Sequence, residues 1–485
     1  MTNDLRFTLE ATDFGPLAKA GVELRPLTVF VGPSNTGKSW LATLVYALHR
    51  HFGSARGRWA PWEPMGPGED ALPEHALADL LRIAEGWTAT APTAVRHVAL
   101  TEPVRGAIES HLKTHADAIG AEVERCFGVE AGSHLVRRGT ASRTRIQLRH
   151  GVEGSSAPAV HALTFSADTW AFRPAVPARL QVRGGSHFLR RLAESGPEDE
   201  RVRSRRAWEA IRALARNVLP LRRPASYLPA DRTGLMNAHS TVVSALIRSA
   251  TRAGIRGADP IPPMSGVRGD FLEELVEMAS SGGRRSRGEP LRHIGERIER
   301  RILGGGVNVG SLPGVPYPHF TYRPREWKQD IPLANASSMV SEVAPVVLYL
   351  RHVVARGDLL IIDEPESHLH PAMQVAFTRL IAEIAAAGVR VIVTTHSEWV
   401  LEELGNVVGR SYASEPGDRG SGLVALDGHD VGVWLFEGTQ DGGGSTVKEI
   451  ELDVDTGLYP SGFDAVATAL HNEWTEVAEA RGGGE

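Results

Sequence analysis

The stretch VFVGPSNTGKSWLATLVYALH, residues 29–49, joins two apolar runs through a loop of small residues. Gly32 to Ser39 fit G-x-x-x-x-G-K-[ST], the pattern of a phosphate-binding loop between a strand and a helix. The chemistry needs that spacing. Gly32 and Gly37 allow backbone conformations closed to residues with a Cβ, so the loop through Pro33, Ser34, Asn35 and Thr36 can turn its N–H groups inward as an anion nest. The helix that starts near Lys38 adds its positive dipole end. Lys38 is placed to reach the β- and γ-phosphates of a nucleotide, and the Ser39 hydroxyl to ligate Mg²⁺. Lysine usage points the same way. The chain's lysines are Lys19, Lys38, Lys113, Lys328 and Lys448, and arginine supplies almost all other positive charge. A compact ammonium is kept where a planar fork would not suit.

A second stretch, RGDLLIIDEPESHLHP (356–371), runs through the apolar Leu359–Ile362 and ends on Asp363 and Glu364. A buried strand that presents an aspartate at its C-terminal end can hold Mg²⁺ beside a phosphate loop. Glu364 is placed to act as general base on an attacking water. Alone, this stretch would read as a buried strand ending at a solvated acidic turn. With the phosphate loop 325 residues upstream (363 − 38), the two motifs support one nucleotide site. A helix over about 371–387 leads to a second buried strand, VRVIVTTHS (389–397). His396 at its end faces the ligand crevice of an open α/β sheet and reads as a γ-phosphate sensor that orients water.

At 485 residues, 42% apolar and 23% charged, the chain is built like a globular protein large enough for two lobes. One cysteine, Cys126, excludes an intrachain disulfide framework. The first residues lack the basic-then-apolar pattern of a signal peptide, and no apolar run reaches the ~18 residues of a membrane span. A cytoplasmic location without membrane contact is the expectation. A net charge of −5 gives no global pull toward nucleic acid.

Along the chain, three segments are expected: 1–51 with the phosphate loop, a middle region over 52–330, and 331–485. Strands LRFTLE and VELRPLTVFV feed the first helix, and FGSARGRWAPWEPMGPGEDA (52–71) reads as a surface loop. Helical patterns fall at about 100–127, 205–218, 238–254, 269–280 and 290–303, and strand-like runs at TRIQLRH and HALTFSA. GIRGADPIPPMSG and SSGGRRSRGE read as flexible breaks. From Asn335 onward, helix–strand alternation predicts a parallel sheet covered by helices.

Phosphate loop, long insertion, ASSMVSE (336–342), LLIIDEP and TTHS follow one another in the order of a known family. The chain resembles the ABC-class AAA-family ATPase heads shared by RecF, SMC and the overcoming-lysogenization-defect ATPases, including bacterial anti-phage defence ATPases. Its nearest likeness is to the last group, through SYLPADRTGL, DEPESHLHP and VIVTTHSEWVLEEL, over roughly residues 5–50 and 225–480. The resemblance implies a P-loop head with a parallel-sheet core, an antiparallel β lobe and a long α+β insertion. It also implies ATP and Mg²⁺ as ligands, and a homo-oligomer whose heads sandwich the nucleotide. Ser337 and Ser338 then occupy the start of the signature helix, which completes the site of the opposite protomer. A hydroxyl-capped helix start can present N–H groups to a phosphate. Pro345 should kink that helix or leave one carbonyl free. Two departures stand out: Met339 replaces the usual signature glycine, and Trp40 follows Ser39 where such heads carry a hydroxyl residue at the α-phosphate. His368 and His370 fall in the D-loop and lack the third ligand a metal would need.

Arginines cluster at 201–224 and 284–301. They suit solvated or partner-binding helices, and DNA contact is possible. Arg232, in the tight LPADRTG loop, is a better candidate for a specific role. Glu437 with Asp453 and Asp455 mimics the acids of a Toprim nuclease, but only 16 residues separate Glu437 from Asp453 (453 − 437). GTQDGGGS between two strand-like runs reads as a hairpin packed on the ATPase lobe. The resulting expectation is an ATP-driven sensor of a defence complex that controls a separate effector, such as a Toprim-type nuclease. The alternative is a RecF-like DNA-repair ATPase; a transporter ATPase is disfavoured by the signature and the long insertion.

Overall fold

The computed structural model describes residues 6–53, 72–87, 96–137, 143–152, 157–166, 169–182, 186–195, 200–239, 264–280, 289–311, 318–413, 424–439 and 443–451, with Gly139 and a few residues between 453 and 475. In chain order its strands are β1 (Phe7–Phe14), β2 (Leu17–Leu24), β3 (Leu27–Val31), β4 (Arg96–Ala99), β5 (Thr144–His150), β6 (Ala159–Phe165), β7 (Trp170–Arg173), β8 (Arg179–Val182), β9 (Ala225–Leu228), β10 (Gly305–Ser311), β11 (Pro318–Pro324), β12 (Ile331–Pro332), β13 (Leu359–Asp363), β14 (Arg390–Thr395), β15 (Val431–Gly438) and β16 (Ser445–Glu449). Eleven of them form one sheet in the order β7-β6-β5-β1-β2-β16-β15-β3-β14-β13-β9.

The sheet has two characters. β15, β3, β14, β13 and β9 run parallel. β3, β13, β14 and β9 are buried at every position, as strands covered on both faces must be. Their side chains alternate between two cores. Ile361 and Ile392 join Phe30 on the face that the Lys38–Phe52 helix covers, whereas Val29, Leu360, Ile362 and Val393 point to the other. That second face is covered by the helices Ser338–His352, Pro371–Ala386 and Glu398–Ala413. β1, β2, β5, β6 and β7 are antiparallel and show the half-buried alternation of a sheet with one wet face.

Several expectations need adjusting. The terminal hairpin is real, with β15 and β16 antiparallel, but it is not packed onto the lobe. β15 pairs with β3 and β16 with β2, so the hairpin lies inside the sheet and joins its parallel and antiparallel halves. The pattern over 100–127 is two helices, Glu102–Lys113 and Ala116–Phe127, broken where the Thr114 hydroxyl donates to the carbonyl of His111 at 2.7 Å. Pro345 sits in a helix that runs on from Ser338 to His352, without ending it. Residues 54–71 of the expected surface loop, 254–263 of the first break, 281–288 of the second and most of the 238–254 pattern lie outside the described residues; Phe52 ends the first helix. Among the described residues no helix is long and apolar enough to cross a membrane.

Candidate nucleotide site

The register of the parallel strands brings the motifs to one end of the sheet. Val31 is paired with Thr395, and Asp363 with Thr394, so the residues that follow each strand emerge side by side. This is the crevice beyond the carboxyl ends where open α/β sheets bind ligands.

The phosphate loop needs its glycines. Gly32 has φ 139° and a Cβ there would stand 2.3 Å from the Phe436 carbonyl oxygen of β15; Gly37 has φ 96° and its Cβ would meet Leu17 at 2.6 Å. Asn35 takes the left-handed region at φ 64°, which its short polar side chain tolerates. Thr36 donates to the Pro33 carbonyl at 2.8 Å, tightening the turn. The Lys38 ammonium is held by the Gly32 and Pro33 carbonyls at 2.8 and 2.7 Å. Burial lowers its pKa, and Glu364, Asp363 and Glu366 pull it back up.

Ser39 Oγ donates to Asp363 Oδ1 at 2.8 Å, which ties the two motifs together. The Thr394 hydroxyl also donates to Oδ1, and the Tyr227 hydroxyl reaches Oδ2 at 3.2 Å. Burial pushes the Asp363 carboxyl up, while the Thr394 and Ser39 hydroxyls pull it down. A hydroxyl and a carboxylate oxygen side by side are the hard donors that Mg²⁺ takes, so these residues fit that ion.

Glu364 adopts φ 47°, a left-handed conformation unusual for its type. Its N–H donates to the Thr394 carbonyl and hydroxyl, both at 3.1 Å. Arg232 holds the other side. Its guanidinium is fully buried and donates to the carbonyls of Asp363 (2.6 Å), Glu364 (3.2 Å), Pro229 (3.1 Å) and Glu342 (3.1 Å). It also pairs with the buried Glu342 carboxylate, which accepts from the Thr233 hydroxyl as well. The LPADRTG loop therefore ties the helix that begins at Ser338 to the backbone of Asp363 and Glu364.

His396 Nδ1 lies 3.8 Å from a carboxylate oxygen of both Glu364 and Glu366. Glu366 is buried and accepts from the Thr395 hydroxyl at 2.7 Å and the His396 N–H at 2.8 Å, which fixes the strand end that carries the histidine. Gly32, Lys38, Ser39, Asp363, Glu364 and His396 are thus brought together. Ser337 and Ser338 are exposed; Ser337 caps its helix by accepting from the Val340 N–H at 3.4 Å and joins none of the hydrogen bonds around Asp363. The Trp40 side chain leaves the loop for the core, against Phe14 and Phe127 at centroid distances of 5.6 and 5.0 Å. Only its backbone can face a ligand there. His370 caps the Pro371–Ala386 helix, accepting from the Ala372 N–H, which is a structural duty.

Sequence reading missed Tyr227, Thr394 and the pairing of Arg232 with Glu342. The signal for Thr394 was its place two residues before His396, on a strand that had to pair beside LLIID. Glu437 is ion-paired to Lys448 across the hairpin at 2.9 Å. Asp453 bridges to Gly457 in a local turn, and Asp455 lies outside the described residues. Among the described residues one other group has metal-type donors, Glu122, Cys126 and Asp270. Arg125 holds both of its carboxylates at 2.8 and 2.7 Å, so their charge is already met.

Residues 165–402 match the family model described as AAA domain, putative AbiEii toxin, Type IV TA system. No curated protein matches the chain. Among solved structures, similar chains include an Smc head bound to the C-terminal winged-helix domain of ScpA (12% identity, 92% of this chain and 97% of that one, TM-score 0.40). Others are the Smc head domain with an extended coiled coil bound to the C-terminal domain of ScpA derived from Pyrococcus furiosus (11%, 92% and 96%, 0.41) and the SMC head domain from Thermotoga maritima (13%, 92% and 99%, 0.35).

Proposed function

We propose that this chain carries an ABC-class ATPase head of the AAA type, hydrolyses Mg²⁺-ATP and acts as the nucleotide-driven switch of a bacterial defence complex. The observation that carries the reading is the 2.8 Å hydrogen bond from Ser39 to Asp363, with Glu364 next in sequence and His396 beside it. Lys38 and the loop N–H groups bind the β- and γ-phosphates of the substrate. Ser39 and Asp363 would hold Mg²⁺, which would neutralise charge on the phosphate oxygens. Glu364 accepts the proton of the attacking water. Its backbone is fixed by Thr394 on one side and Arg232 on the other, so the carboxylate needs little reorganisation. His396 orients the water and reads the γ-phosphate.

Ser337 and Ser338, exposed at a helix start, suit completion of a second protomer's site, which makes the working unit a head-to-head pair. The family model's description names a putative toxin of type IV toxin–antitoxin systems, and this supports a place in defence. A two-state head whose closure changes a partner's affinity suits control of a separate effector such as a Toprim-type nuclease. The ion pair between Glu437 and Lys448 supports a structural role for the hairpin acids. The test is Glu364→Gln. It should lose about 10²–10⁴ in turnover while still binding ATP, and should accumulate a nucleotide-bridged dimer visible by light scattering. Unchanged turnover sinks the assignment of the base; a monomer in saturating ATP sinks the sandwich.

A further inference from the structure

At the opposite end of the parallel strands from the phosphate loop there is a cavity of about 550 Å³. Its floor is made by Pro26, Val389 and Arg390, where β3 and β14 begin. β13 is five residues long, so the cavity stands roughly 15–20 Å from Asp363 at ~3.3 Å per residue. It belongs to neither phosphate loop nor signature helix.

The wall is strongly basic. Arg6, Arg179, Arg222, Arg223, Arg356 and Arg390 line it, and Asp430 is the single carboxylate among the described lining residues. Asp430 is engaged with Arg6 at 3.2 Å. Arg390 is 3% exposed, and its guanidinium lies 5.8 Å from the Phe7 ring centre. Burial and the nearby Arg223 lower its pKa to about 10, with Asp358 opposing. Guanidinium groups are brought together here although they repel, and Pro220 and Pro224 stiffen the segment that delivers Arg222 and Arg223. This segment ends the arginine run of 201–224, so part of that run faces a cavity.

We propose that this cavity is a second anion site, which takes a small phosphorylated molecule of nucleotide size. Planar guanidinium forks match phosphate oxygens bidentately, and several around one cavity suit an ester or polyphosphate carrying more than one charge. The volume falls in the range of small-ligand pockets, and Leu180, Val218 and Leu219 in the wall give an apolar surface for a ring. A space of this size holds about one nucleotide unit.

The experiment uses the full chain carrying Lys38→Ala, so that the phosphate loop is silent. Calorimetric titration with tripolyphosphate and, separately, with ATP tests whether phosphate alone suffices or a base is also needed. Binding of either probe is expected, weakened at least tenfold by Arg179→Glu with Arg356→Glu and less by lysine at both positions, which keeps the charge without the fork. Both arginines are exposed, so charge reversal should leave the fold intact; Arg223→Gln, with the same loss expected, serves if it does not. No binding to the Lys38→Ala chain, or affinity unmoved by these substitutions, overturns the proposal. A 12-nucleotide single strand that binds more tightly than tripolyphosphate, and is lost in the same variants, also overturns it in favour of a nucleic-acid face. None of these outcomes bears on hydrolysis, which the Glu364→Gln variant tests by itself.

Discussion

Replacing Arg232 with Ala should be strongly destabilising. The side chain is 0% exposed, its partner Glu342 is 1% exposed, and four carbonyls depend on its N–H groups. Breaking one half of a buried ion pair typically costs about 3–5 kcal/mol, because the remaining charge is left without compensation. Each carbonyl stripped of its donor adds up to about 1 kcal/mol. One effect limits the total. Burial already pushes the Glu342 carboxyl up, with Arg232 pulling it down, so the orphaned acid will take a proton rather than stay charged. The expected loss is therefore about 5 kcal/mol, read as a shift in the urea midpoint at pH 7. Glu342→Gln should cost less, since the four backbone bonds survive. The paired change Arg232→Met with Glu342→Leu should recover about 2–3 kcal/mol relative to the sum of Arg232→Met and Glu342→Leu made singly, the signature of residues in one network. A loss under about 1 kcal/mol for Arg232→Ala, or strict additivity in the pair, would show that the guanidinium does not organise this region.

Lys38→Ala should abolish ATP binding, since a charged contact in a desolvated site is worth about 2–5 kcal/mol; affinity within threefold of the parent by calorimetry would place the loop elsewhere. The apo chain should lose little stability, because Lys38 hydrogen-bonds only carbonyls of its own loop. Acid should destabilise the packing of the Lys38–Phe52 helix against the middle region, where His51 meets His115 at 3.3 Å. Burial holds His51 to about 3 and His111 and His115 to about 4, against about 6.5 when unfolded, so they fold neutral and take up protons on unfolding. Their contribution is fully present above about pH 6.5 and is lost as pH falls from there toward 4, at about 2 kcal/mol each by pH 5. Thermal melts between pH 7.5 and 5 check this, and His111→Leu should flatten the slope; a midpoint independent of pH refutes it.

The parts legible in the sequence were those where one residue type has one use. Gly32, Gly37 and Lys38 could be read because few environments need that combination, and LLIID and VIVTT because a strand buried on both faces shows no polar interruption. Asp363, Glu364 and His396 followed from where such strands end. The partners of those residues were not legible. Nothing local marks Tyr227 or Glu342 as neighbours of the site; they reach it through the placement of β9 and of the Ser338–His352 helix, which depends on packing across the whole core. The hairpin shows the same limit. Its turn residues announced β15 and β16, but which strands they would pair with is set by edges that only the assembled sheet presents.

That hairpin has a mechanical consequence. β16 meets β2 through two registered pairs, Ser445↔Leu17 and Thr446↔Lys19, with a slip between them, and every other join in the sheet is longer. A torque on the antiparallel wing will therefore be absorbed at this seam before any other line of the sheet yields. One strand away, the Phe436 carbonyl leaves no room for a side chain at Gly32. The seam is a fault line beside the trigger: loads on the wing can be felt at the phosphate loop while the parallel strands stay rigid. Amide exchange should be faster at Thr446 and Val447 than anywhere along β15, and a load-bearing partner on the wing should widen that gap.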